Sequence, residues 1–165
     1  MRRLEVGGIA IAVVDGACIG QDFERALDAD IRLAADTATF SAEGADLSAC
    51  GRRLARLLGE ARAKEIVLGA RTFDAANALR LGVVTRVVPS AALPEAVREL
   101  TDTLAALPPL ALPAVRAAVR AARDLTHDAA LAVEHEQFRR LVATRDHKAA
   151  VEAFFARRAP VFTGE

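Results

Sequence analysis

Tryptophan and tyrosine are absent from this chain, methionine occurs once, and aromatic residues make up only 4% of it. Together with its abundant Ala and Arg, that scarcity has the look of a GC-rich bacterial gene. An excess of either charge is missing too, since 22 Lys and Arg stand against 22 Asp and Glu. A chain without a net field lacks the basic surface that nucleic acid demands, so no nucleic-acid partner is expected. Long apolar runs are lacking as well. Ile9–Val14 meets Asp15-Gly16 at once and is too short for a signal peptide or a membrane span. No membrane partner is expected, and the cytoplasm is the expected compartment. The two cysteines, Cys18 and Cys50, have neither metal-ligand spacing nor a histidine near them in sequence. This argues against a disulfide or zinc framework, so no metal is expected and both read as small buried thiols.

What is present suits a globular α/β chain. A hydrophobic content of 53% over 165 residues is enough for a substantial single core, and no linker long enough to divide the chain is evident. Ile9–Val14, bounded by Gly7-Gly8 and Asp15-Gly16, reads as a strand buried on both faces. Gln21–Asp28 reads as a two-turn helix with Phe23, Ala26 and Leu27 on one side. Asp30–Ala35 is the next strand, and that order predicts a right-handed parallel crossover. Ser41–Ala49 reads as a loop, and from Gly51 the pattern turns helical through Leu54, Leu57 and Leu58, then Ala63, Ile66, Val67 and Leu68. Asp74 is placed to cap a helix that ends at Gly82, before a Val83–Val88 strand stopped by Pro89. Further helices are predicted from Pro94 to Ala105 and from Pro113 to Arg123, the latter with Val115, Ala118, Val119 and Ala122 inward. Another is predicted from His127 to Thr144, and a last one, capped by Asp146, to Arg157. His135 and His147 read as surface or interface groups and not as ligands.

Three stretches carry a resemblance. Asp15-Gly16, Gly20, Glu24, Ala26 and Asp30-Ile31-Arg32-Leu33-Ala34 follow the wording of the crotonase (enoyl-CoA hydratase/isomerase) superfamily. Arg71–Pro89, RTFDAANALRLGVVTRVVP, is a second anchor, and the ending AFFARRAPVFTGE is a third. The resemblance implies a truncated crotonase-like (ClpP/crotonase) α/β fold: a short parallel sheet with crossover helices, then C-terminal assembly helices. Residues 1–105 would form the core, and 106–165 a helical trimerisation region of the same domain. It begins just before the oxyanion strand, so about the first third of an ordinary family domain is expected to be missing. Exposed sheet surface would then need a partner.

A strand-to-helix turn sets backbone N–H groups beside an acidic side chain, where an oxyanion and a migrating proton can both be handled. By resemblance, Gly20 and Gln21 form the oxyanion turn, with the Gln21 N–H as donor. Glu24 is the first catalytic carboxylate; read as an ordinary helix glutamate, it would pair with Arg25 or Arg32. Gln21-Asp22 replace the family's second and third glycines, and Asp22 brings a negative charge towards a developing oxyanion. The family's second catalytic glutamate falls at Gly44, and Glu43, one residue earlier in a shortened loop, is the candidate to replace it. Phe154 and Arg157 would approach the coenzyme A of a neighbouring subunit, the alternative being core or interface for Phe154 and a solvated face for Arg157, with Phe155 as core or interface.

The implied function is enolate-type chemistry, as hydratase, dehydratase or isomerase, on an acyl-CoA or acyl-carrier-protein thioester, in a specialised bacterial pathway. Coenzyme A would enter as part of the substrate, and no separate cofactor is expected. The alternative is a catalytically impaired auxiliary or structural subunit. Expected partners are further copies, as a homotrimer or hexamer, and a protein supplying the missing front segment.

Overall fold

Six consecutive apolar residues make strand β2 (Ile9–Val14), and all six are buried. In the computed structural model, which describes residues 1–165, β2 lies in a four-stranded sheet of order β1-β2-β4-β7. Its other strands are β1 (Arg2–Val6), β4 (Ile31–Ala35) and β7 (Arg86–Val88). β2 and β4 run parallel with Val13 opposite Leu33, and β4 and β7 run parallel with Ala34 opposite Val87. The predicted parallel crossover is therefore present, made through α1 (Gln21–Leu27).

A second sheet was not foreseen in the sequence. It holds β3 (Ala17–Ile19), β5 (Thr39–Ser41) and β6 (Phe73–Asp74) in the order β3-β5-β6. β3 and β5 are parallel, with Cys18 opposite Phe40, while β5 and β6 are antiparallel. The chain thus enters α1 from β3 and not directly from β2. Phe23, Phe40 and Phe73 meet here with ring centroids 5.7–6.1 Å apart. Burying each of the fully enclosed rings of Phe23 and Phe40 stabilises the fold by about 2–3 kcal/mol.

The chain divides into two compact units, Met1–Glu5 with Ala10–Leu100, and Val6–Ile9 with Thr101–Glu165. Besides its sheets the first unit holds α2 (Leu47–Leu58), α3 (Glu60–Gly69) and α4 (Ala75–Leu81). α2 starts four residues before the predicted Gly51, because the Asp46 side chain accepts the Ser48 and Ala49 N–H groups. At α4 the expectation holds at both ends: Asp74 accepts the Asn77 N–H at 2.8 Å, and Gly82 closes the helix at φ +84°. The predicted Val83–Val88 strand is shorter, since Val83 and Val84 pass buried through the connection before β7.

α5 (Leu93–Ala105) carries the chain from the first unit into the second, which contains α6 (Ala111–Asp124), α7 (His127–Val142) and α8 (Arg145–Phe155). On α6 the predicted inward face is corrected. Leu112, Ala114 and Ala121 are buried, whereas Val115 and Val119 are 60% and 66% exposed. α7 has no buried residue at all. The cap of α8 is Thr144, whose hydroxyl accepts the His147 N–H at 3.1 Å. Asp146 instead ties down the chain end, where its buried carboxylate accepts the Thr163 and Gly164 N–H groups at 2.7 and 2.9 Å. His135 and His147 are exposed, as expected. No helix is long and apolar enough to cross a membrane.

Candidate functional site

β3 and β5 are parallel neighbours, so the segments that follow them leave the sheet side by side. The first is the turn at Gly20, with φ 61° and ψ −124°, a backbone conformation suited to glycine. The Gly20 N–H donates to the Ser41 carbonyl at 3.2 Å, and its own carbonyl accepts the Glu24 N–H at 3.0 Å. The Gly20 amide hydrogen is therefore engaged in joining the two segments. The next one, on Gln21, belongs to the first turn of α1, where N–H groups have no acceptor within the helix. Gln21 is exposed.

Asp22 is the residue expected to oppose a developing anion. Its carboxylate lies 3.9 Å from Arg25 Nη1, so its charge is partly matched. Glu24 has neither partner suggested by the sequence. Arg25 faces Asp22, and Arg32 is buried with its N–H groups on the Val83 and Ala29 carbonyls. Glu24 Oε1 instead accepts Nη1 of Arg53, on α2, at 3.0 Å. The two side chains are 21% and 25% exposed, so solvent screens them less than an open surface pair. Arg53 also grips the Asp28 carboxylate through Nε and Nη2, and these bonds are the first cause that holds its guanidinium in the charged form.

Glu43 lies on the segment after β5, and its side chain is exposed. Its backbone is what meets the turn. The Glu43 N–H donates to Ser41 Oγ at 3.1 Å, and its carbonyl oxygen is 3.0 Å from the point where a Gly20 side chain would start. Gly20, Gln21, Glu24 and the Glu43 backbone are thus brought to one end of the second sheet. Arg53 and Ser41 were missed in the sequence. The one available signal was the four-residue spacing of Glu24 and Asp28, which puts two carboxylates on one helical face and invites a shared cation.

Both cysteines are fully buried, as the sequence led us to expect. Burial pushes the Cys18 thiol up to about 12. Cys50 is raised by burial first and by the Glu24 charge next. No three His, Cys, Asp or Glu side chains gather where they could hold a metal ion. A cleft of about 520 Å³ on the first unit, lined by Thr39, Arg62, Glu65, Arg71 and Asn77 among others, contains none of the expected site residues. On the second unit, Phe154 and Arg157 stand together at the end of α8, where the Arg157 N–H donates to the Phe154 carbonyl at 3.2 Å. Phe155 is not core within this chain: it is 79% exposed and meets Phe154 edge-on.

The fold, with a strand-to-helix turn at Gly20 followed by an acidic residue on α1, is the crotonase fold. The chain belongs to the enoyl-CoA hydratase/isomerase family, whose model matches residues 2–165. A probable enoyl-CoA hydratase of Mycobacterium tuberculosis is 35% identical over 158 residues, covering 93% of this chain and 62% of the relative. A short-chain-enoyl-CoA hydratase of Clostridium acetobutylicum is 32% identical over 163 residues, covering 95% and 62%. Among solved structures, an enoyl-CoA hydratase/isomerase of Cupriavidus metallidurans superposes with a TM-score of 0.85 at 34% identity, covering 96% and 62%. The chain therefore spans about three-fifths of the length of these relatives.

Proposed function

We propose that the chain acts on an acyl thioester, carried by coenzyme A or an acyl carrier protein, through enolate-type hydratase, dehydratase or isomerase chemistry. The observation that carries this reading is the juxtaposition, within the first turn of α1, of the Gly20 turn and the partly shielded Glu24 carboxylate. The Gln21 N–H would donate to the thioester oxygen and stabilise the negative charge that develops there. Glu24 would move the proton. In hydration, the water oxygen bonds to Cβ of the double bond, Cα takes a proton, and the thioester stays intact. Glu43, whose backbone lies against the turn, is the proposed second carboxylate. Phe154 and Arg157 are proposed contacts to coenzyme A bound by another copy, in a homotrimer or hexamer. The proposed setting is a specialised bacterial pathway in the cytoplasm.

A second reading, an auxiliary subunit that works with another protein, is favoured by one observation: β3 is the outer strand of its sheet, with Ile19 43% exposed. One assay tests both readings: hydration of crotonyl-CoA by the purified chain, alone and with candidate partner proteins, beside Glu24→Gln. The expected result is thioester binding with turnover about a hundredfold to a thousandfold below an ordinary hydratase, as for a site with a displaced oxyanion donor, and lost in Glu24→Gln. Turnover that survives Glu24→Gln, or an absence of thioester binding in every mixture, would refute the enzymatic reading. Turnover only with a partner would favour the auxiliary one.

A further inference from the structure

Arg53 reaches across from α2 to two carboxylates on one face of α1. Nε and Nη2 hold Asp28, the latter at 2.8 Å, and Nη1 holds Glu24 Oε1 at 3.0 Å. A guanidinium is a rigid planar fork, so committing its Nε/Nη2 edge to Asp28 also sets where Nη1 points. Glu24 has three side-chain torsions, and α1 itself fixes none of the outer ones. Something outside the helix must aim its carboxylate, and Arg53 is the group in contact with it.

We propose, resting on the thioester reading above, that Arg53 is a positioning residue for Glu24. It holds Oε1 and so presents Oε2 as the oxygen that exchanges protons with the substrate. Asp28 is the anchor that sets the direction of Arg53. The arrangement needs three N–H groups in one plane, which an ammonium does not supply. A reacting carboxylate misplaced by about 1 Å loses on the order of a hundredfold in rate, so the cost of losing Arg53 falls on the chemical step and not on thioester binding.

The test is made on the full chain with Glu24 isotopically labelled, comparing wild type, Arg53→Met and Arg53→Lys. Side-chain couplings and methylene NOEs should give one Glu24 rotamer in the wild type and averaging over several in both variants. Arg53→Lys keeps a cation and a long stem, so it supplies the answer if the methionine variant does not fold. In the thioester assay, Arg53→Met should lower kcat about tenfold to a hundredfold with KM unchanged within about twofold.

A Glu24 rotamer averaged already in the wild type, or one that stays fixed in a folded Arg53 variant, overturns the proposal. A wild-type chain that binds no thioester would sink the function proposed above, and the rotamer comparison would still decide whether Arg53 aims Glu24.

Discussion

A side chain on Gly20 would begin 3.0 Å from the carbonyl oxygen of Glu43, a tight contact that the turn and the loop beside it avoid because Gly20 has no Cβ. Backbone conformation adds to the restriction, since φ 61° with ψ −124° lies outside the regions open to other residues. Gly20→Ala is expected to cost about 1–3 kcal/mol, lowering Tm by about 2–4 °C for each kcal/mol. Thermal unfolding followed by circular dichroism measures it, and an unchanged Tm would mean that the turn has another shape.

Arg32 is the most enclosed cation in the chain. Its Nε donates to the Val83 carbonyl and its Nη1 to the Ala29 carbonyl, both at 2.5 Å, and burial lowers its pKa against the opposing pull of Asp30. Arg32→Met would strip two buried carbonyls of charged donors. The expected loss is about 2–4 kcal/mol in urea unfolding, with Arg32→Lys intermediate because an ammonium reaches fewer carbonyls at once. A methionine variant as stable as the wild type would show that these carbonyls find other donors.

Neither thiol is expected to react while the chain is folded. Burial disfavours the charged thiolate at both Cys18 and Cys50, so less of the nucleophile exists at any given pH, and neither sulfur is open to a reagent. A disulfide reagent at pH 8 should modify no cysteine in the native chain and both in denaturant. Rapid native modification of Cys18 would contradict the packing around the Gly20 turn.

Much of the first sheet could be read from the sequence because its pattern is coarse. Ile9–Val14 is an unbroken apolar run, and Phe23, Ala26 and Leu27 mark one face of α1, so β2, α1 and β4 fall where their residues predict. The second sheet left no such trace. β3 and β5 are three residues long and β6 is two, too short for alternation to register, and they exist through their pairing with one another. On α6 the periodicity was legible but its orientation was not. Val115 and Val119 make a helical stripe, yet Leu112, Ala114 and Ala121 are the residues buried. At the site, Glu24 and Gly20 were legible through wording shared with a family. Arg53 was not, because a contact spanning 29 residues between two helices has no local signature.

The parallel pairing of β3 with β5 separates where the groups stand from what they are. Two neighbouring parallel strands deliver their next residues about 4.8 Å apart whatever those residues happen to be. The interval between the amide-bearing bend and its neighbouring loop is thus inherited from a ladder of backbone hydrogen bonds. Side chains at Gln21, Asp22 and Glu43 can be exchanged while that interval is kept, which lets one framework trial different chemistries.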